Sequence, residues 1–149
     1  MNQGRIIVIT GSPGTGKTTT ASIVAKESDM DKSVHMHTDD FFHYLSKGAI
    51  PPHLPESNEQ NLVVIEAFLE AAKRYARGGY DVIVDGIVGP WFLEPWKALA
   101  QEDYEVHYIV LRASMEIRLR SKLKSVLIVQ YLKILCIIGI EVKLDAKNL

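Results

Sequence analysis

Three observations predict an α/β fold built on a parallel sheet with helices on both faces. Short apolar runs rich in β-branched residues alternate with segments of helical period, an order that produces parallel strands joined by crossover helices. Tyr80-Asp81-Val82-Ile83-Val84-Asp85 is continuously apolar through its middle, as a strand covered on both sides must be. Between the first apolar run and the first helical segment stands Gly11-Ser12-Pro13-Gly14-Thr15-Gly16-Lys17-Thr18. It satisfies G-x-x-x-x-G-K-[ST] in the strand–loop–helix context that a phosphate-cradling P-loop requires.

The elements follow in order. Residues 5–10 are the first strand and 17–28 the first helix, with a polar turn over 29–32. Residues 34–38 are the second strand, and 41–47 a short helix. Residues 48–55 form a loop, because prolines at 51, 52 and 55 permit nothing regular. Ser57-x-x-Gln60 has the form of a capping box and opens a long helix. In that helix Ile65, Phe68, Leu69, Ala72 and Ala76 recur at helical spacing and face a core; Gly78-Gly79 ends it. Residues 80–85 are the third strand. Gly89-Pro90 begins a connection, 91–101 is helical, 104–111 is the fourth strand, and 114–124 is a helix capped by Ser114. There is no internal repeat and no low-complexity segment.

A chain of 149 residues with 47% apolar and 23% charged residues is expected to be one domain over 1–149 that buries about two-thirds of its unfolded surface. A single cysteine, Cys136, excludes an internal disulfide, and the N-terminus lacks a signal pattern, so a cytoplasmic protein is expected. The net charge of −1 is uneven. Residues 1–111 hold 9 Lys and Arg against 15 Asp and Glu, net −6; residues 112–149 hold 8 against 3, net +5. Such a basic C-terminal segment suits either a polyphosphate clamp or a solvated surface. No basic stripe interleaved with aromatics is present, so no nucleic-acid partner is expected. The oligomeric state is left open.

The chemistry explains the residue types. Glycines let the loop curl so that backbone N–H groups converge on phosphate oxygens, and the helix starting near Lys17 adds the positive end of its dipole. Lys17 would reach the β- and γ-phosphates, and the Thr18 hydroxyl would bind Mg2+. The expected nucleotide-binding set is Gly11, Ser12, Pro13, Gly14, Thr15, Gly16, Lys17, Thr18 and Thr19. Val82-Ile83-Val84-Asp85 fits a Walker-B-type strand, whose Asp85 would hold Mg2+ directly or through water, with Gly86 permitting close approach of a ligand. Asp39-Asp40 follows the second strand. One of them, Asp39 in the first instance, would accept the proton of an attacking hydroxyl, while either suits the capping of the next helix. Phe41, Phe42, His43 and Tyr44 line an acceptor pocket or join the core. Trp91 and Trp96 are packing residues. His35 and His37 share one face of a strand and with His43 raise a metal reading, but no further Cys or His has ligand spacing, so zinc is not expected. Arg112, Arg118 and Arg120 follow the fourth strand, where an arginine would stabilise charge on a transferring phosphoryl group. Arg118 and Arg120 are two apart and do not share a helix face. Ligands of open parallel sheets bind beyond the carboxyl ends of the strands, and the P-loop, Asp39-Asp40 and Asp85 all fall on that rim.

Together with the P-loop, Thr38-Asp39-Asp40-Phe41, Val84-Asp85-Gly86 and Val110-Leu111-Arg112 resemble a small P-loop kinase. The resemblance is to the kinases and small AAA-labelled ATPases grouped near chloramphenicol phosphotransferase, gluconate kinase, shikimate kinase and the zeta toxins, over about residues 5–120. It implies a three-layer P-loop NTPase sandwich with sheet order 2-3-1-4-5 and ATP with Mg2+ as phosphoryl donor. It also implies an acceptor near Asp39-Asp40 and a basic lid whose first arginines are Arg118 and Arg120, with residues 112–124 as a partial lid. After Ser121 the chain departs from that pattern. Residues 125–149 form an atypical apolar tail in which 134–142 is the stretch left for a fifth strand. The tail is too short and too interrupted by Gln130 and Lys133 for a membrane span. The expected function is transfer of the γ-phosphoryl group of ATP to a hydroxyl of a small molecule. The alternatives are a nucleotide-binding switch or slow ATPase without an acceptor, and an ATP-binding fragment that cannot close. ATP rather than GTP rests on the resemblance, since no N-K-x-D motif is present.

Overall fold

The computed structural model describes residues 3–88 and 93–112. Strands β1 (Ile6–Gly11), β2 (Ser33–His37), β3 (Asp81–Asp85) and β4 (Val106–Leu111) form one sheet in the order β2-β3-β1-β4, and every pairing is parallel. This is the expected order through its first four strands. The stretch suggested for a fifth strand lies outside the described residues, as do the 114–124 helix, Arg118, Arg120, Trp91 and the apolar tail.

The central strands explain the layering. Ile6, Val8, Ile9 and Val82 to Val84 are fully buried, and alternate side chains leave a strand on opposite faces. Ile7, Ile9, Ile83 and Leu111 pack with Ala21, Ala25 and Val24 of helix α1 (Lys17–Lys26). Ile6, Val8, Val82 and Val84 pack on the other face with Phe68 and Ala72 of α3 (Asn58–Arg77) and Trp96 and Leu99 of α4 (Leu93–Gln101). The result is the helix–sheet–helix sandwich that the sequence predicts. Helix α1 stops before residue 28 because Ser28 is engaged elsewhere: its Oγ donates to Asp81 and accepts the Met30 N–H.

Two local expectations are corrected. The short helix α2 spans Thr38–His43 rather than 41–47. It starts directly at the end of β2, so Asp39 and Asp40 stand in its first turn, where the helix dipole favours carboxylates. The capping box does not form. Ser57 is the N-cap of α3 but makes no side-chain cap; its Oγ donates to the carbonyls of Leu54 and Pro52 at 2.7 and 3.0 Å. The Gln60 amide both accepts the Ile50 N–H and donates to the Ile50 carbonyl, each at 2.8 Å. The proline loop has captured both side chains. The buried stripe of α3 is as expected: Ile65, Phe68, Leu69, Ala72 and Ala76 are all core. Gly78 caps the helix, and Gly79 takes the left-handed conformation with φ 79°. Trp96 is a packing residue, as expected, at 3% exposure. No helix among the described residues is long and apolar enough to cross a membrane.

Candidate active site

The P-loop leaves the carboxyl end of β1 in the middle of the sheet. Gly11 pairs with Leu111 of β4, and a Cβ there would lie 2.4 Å from the Leu111 carbonyl oxygen. Gly14 and Gly16 are glycine for a different reason: a Cβ would meet nothing within 4 Å, but φ is 78° and 84°, a region that L side chains rarely adopt. Gly16 is the N-cap of α1 and supplies no side chain to cap its first amides. The Ser12 carbonyl accepts the Thr15 hydroxyl at 2.7 Å, the Lys17 ammonium at 3.1 Å and the Thr15 N–H at 3.3 Å. Lys17 therefore folds back over the loop. Ser12, Pro13, Gly14, Thr18 and Thr19 are exposed and Thr20 is buried, so the first turn of α1 presents two hydroxyls to solvent.

Asp85 closes β3. It is 4% exposed and lies in register with Ile9 on one side and His37 on the other. Its Oδ2 is 2.5 Å from His35 Nε2, and its Oδ1 is 3.0 Å from His37 Nδ1. The two imidazole centroids are 4.3 Å apart. The histidines share a strand face as expected, but their meeting with Asp85 was missed. The signal lay in the parallel pairing of β2 with β3, which brings the last residues of both strands level. His43 stands apart on α2 and is exposed.

Gly86 carries another correction. The close approach it permits is to the protein's own chain, since a Cβ would sit 1.8 Å from Thr38 Oγ1. The turn after β3 thus seats directly on the start of α2, bringing Asp85 and the exposed pair Asp39-Asp40 to the same end of the sheet. Two further residues that the sequence did not single out fasten this turn. Thr10 Oγ1 accepts the Val88 N–H at 3.0 Å, and the Tyr108 hydroxyl donates to the Val88 carbonyl at 2.6 Å. Burial holds the Tyr108 hydroxyl above its ordinary pKa.

The aromatics after Asp40 divide. Phe41 and Phe42 are half-buried against the core, with Phe41 edge-on to Phe68 at 5.0 Å, while His43 and Tyr44 are exposed. Arg112 is exposed just beyond β4.

A backbone nest, a lysine, two hydroxyls and three carboxylates at one end of a parallel sheet can hold a polyphosphate and a hard cation and can accept a proton. The chain matches the family model described as an AAA domain over residues 7–123. Solved structures share its fold, among them the following three. The APS kinase of Mycobacterium tuberculosis, in complex with AMPPNP and APS, is 18% identical with a TM-score of 0.61, over 86% of this chain and 73% of that one. The structure of APE1195 is 23% identical with a TM-score of 0.60, over 89% and 76%. An unliganded sugar kinase from Janibacter sp. HTCC2649 is 20% identical with a TM-score of 0.57, over 80% and 68%. No curated protein matches the chain. The family match spans well over half of the sequence, and the parallel sheet in the order β2-β3-β1-β4 has the P-loop NTPase fold of these neighbours, so the chain belongs to the AAA-domain family.

Proposed function

We propose that this chain is an ATP-dependent phosphotransferase that moves the γ-phosphoryl group to a hydroxyl of a small molecule. The observation that carries the reading is the gathering of the P-loop, Asp85 and Asp39-Asp40 at the carboxyl end of one parallel sheet. The loop fits a polyphosphate: left-handed Gly14 and Gly16 leave open space above the backbone, and the first amides of α1 have no side-chain cap, which suits an anion. The fold relative solved with AMPPNP supports ATP as the donor.

In this reading the ammonium of Lys17 exchanges the Ser12 carbonyl for the β- and γ-phosphate oxygens. Gly11, Ser12, Pro13, Gly14, Thr15 and Gly16 wrap the phosphates with their backbone, and Thr19 stands beside them on the first turn of α1. The Thr18 hydroxyl and the Asp85 carboxylate would be the oxygen donors that hold Mg2+, which would supply neutralisation of phosphate charge. Each Asp85 oxygen bonded to a histidine keeps a second lone pair for this purpose. Asp39, or Asp40 beside it, accepts the acceptor's proton as the hydroxyl oxygen bonds to the γ-phosphorus. The bond from that phosphorus to the bridging oxygen breaks, and ADP leaves. Arg118 or Arg120 neutralises charge on the moving group. Most of the acceleration comes from positioning and electrostatics.

The test is incubation with γ-labelled ATP and a metabolite library. A labelled metabolite is expected. Free phosphate alone would favour a switch or slow ATPase, and nucleotide binding without turnover under any acceptor would favour an impaired ATP-binding chain. Lys17→Ala is expected to lower turnover by about 100-fold or more; transfer at the wild-type rate would refute the role of Lys17.

A further inference from the structure

We propose that His35, His37 and Asp85 form a binding site for one borderline first-row metal ion, Zn2+ in the first instance, with Co2+ as its spectroscopic substitute. The site stands on β2 and β3 and needs no nucleotide; it shares Asp85 with the Mg2+ of the kinase reading, to which the carboxylate would turn its remaining lone pairs. One potential ligand atom from each residue lies within 4.8 Å of the other two. His35 and His37 are alternate residues of β2 and project from one face. Asp85 is held level with His37 by the parallel ladder. Backbone hydrogen bonding therefore sets the spacing, and the ligands need only side-chain rotation to close on an ion.

The geometry suits a tetrahedral ion. Metal–nitrogen and metal–oxygen bonds of about 2.0–2.2 Å place tetrahedral ligand atoms roughly 3.3 Å apart. His35 Nε2 is 2.5 Å from Oδ2 and His37 Nδ1 3.0 Å from Oδ1 of the carboxylate, and the three ligand atoms, one from each residue, lie within 4.8 Å of one another, so closing on an ion takes shifts of roughly 1–2 Å. Burial is graded: the side chains of Asp85, His35 and His37 are 6%, 18% and 35% exposed. The carboxylate is thus sheltered, while the His37 side faces solvent and leaves a position for water or another donor. Two imidazoles and one carboxylate are the donor set that borderline ions accept and that Mg2+, which prefers oxygen, does not select. On binding, each neutral imidazole offers as a lone pair the nitrogen that faces Asp85 and carries its proton on the other ring nitrogen. A histidinium would instead release a proton to solvent.

The experiment uses the full chain stripped of metal with a chelator. Co2+ is titrated by its visible absorption, and Zn2+ by competition with a chromophoric chelator, both in excess Mg2+. One equivalent is expected to bind, and the imidazole signals of two of the five histidines are expected to shift in the proton NMR spectrum of the unmutated protein. His35→Ala and His37→Asn are each expected to weaken Zn2+ by about 100-fold or more, since even outer-shell partners are worth 10–100-fold. His37→Asn keeps an N–H toward Asp85, so a fold held by that hydrogen bond survives it. Absence of a stoichiometric Zn2+ equivalent would overturn the proposal, as would binding unchanged by both substitutions or displaced by Mg2+ alone. Lys17→Ala separates this site from the nucleotide reading: it is expected to lose ATP binding and to retain Zn2+.

Discussion

Gly86 and Gly14 forbid a side chain for opposite reasons, and their substitutions are expected to behave differently. In Gly86→Ala the new methyl collides with Thr38 Oγ1, so β3 and α2 must move apart. The expected loss is about 1–3 kcal/mol in denaturant unfolding, with a fall in transfer because the Asp39-Asp40 turn shifts against Asp85. In Gly14→Ala nothing collides, and the left-handed backbone costs about 1–2 kcal/mol, relieved if the loop re-forms at the expense of phosphate binding. Asp81 makes a third residue-scale prediction. It is 1% exposed and accepts bonds from Arg5 at 2.8 and 3.1 Å and from Ser28 at 2.6 Å. The buried partnership with Asp81 raises the Arg5 guanidinium well above its ordinary pKa against the opposing effect of burial, and Asp29 adds to it. Arg5→Ala is expected to cost about 3–5 kcal/mol, because a buried carboxylate remains without its counter-charge, held only by the Ser28 hydroxyl. In Arg5→Ala/Asp81→Asn the thermal melt is expected to recover part of that loss. The glycine and lysine of the P-loop were legible because their chemistry is local. The partners of Asp81 and of His35 were not, since they depend on which strands become neighbours.

Helix α3 shows what spacing conveys and what it omits. Its apolar stripe was legible because the period of 3.6 is a property of the helix itself, and Phe68 at its centre is fully buried between Phe41 of α2 and Trp96 of α4, with centroids at 5.0 and 6.0 Å. Phe68→Ala is expected to destabilise by about 3–5 kcal/mol, read from chemical unfolding. The start of the same helix misled, because a capping box is defined by neighbours in sequence while Ser57 and Gln60 were claimed by the loop folded back on them. Gln60→Ala removes two hydrogen bonds to Ile50. The expected effect is about 1–3 kcal/mol with faster proteolysis across residues 48–55; an unchanged cleavage rate would deny Gln60 that clamping role. The early start of α2 was hidden in the same way, since Gly86, in the turn after the distant strand β3, seats against Thr38 where the helix begins.

At the scale of the molecule, alternation of strand and helix sufficed for the parallel sheet, while the order of its first four strands was legible only through the resemblance to small P-loop kinases. The rim was legible too, since active groups of such sheets gather beyond the strand ends. What alternation did not carry was the edge. Among the described residues β2 is an outer strand, five residues long, reading Ser-Val-His-Met-His. An outer strand offers unpaired backbone groups to any passing chain, and polar side chains with a short run are what discourage such recruitment. Exchanging both histidines for valine would leave four consecutive apolar positions on that margin. The altered protein is then expected to seed ordered aggregates detectable by thioflavin fluorescence, so the imidazoles of β2 also serve as guardians of solubility.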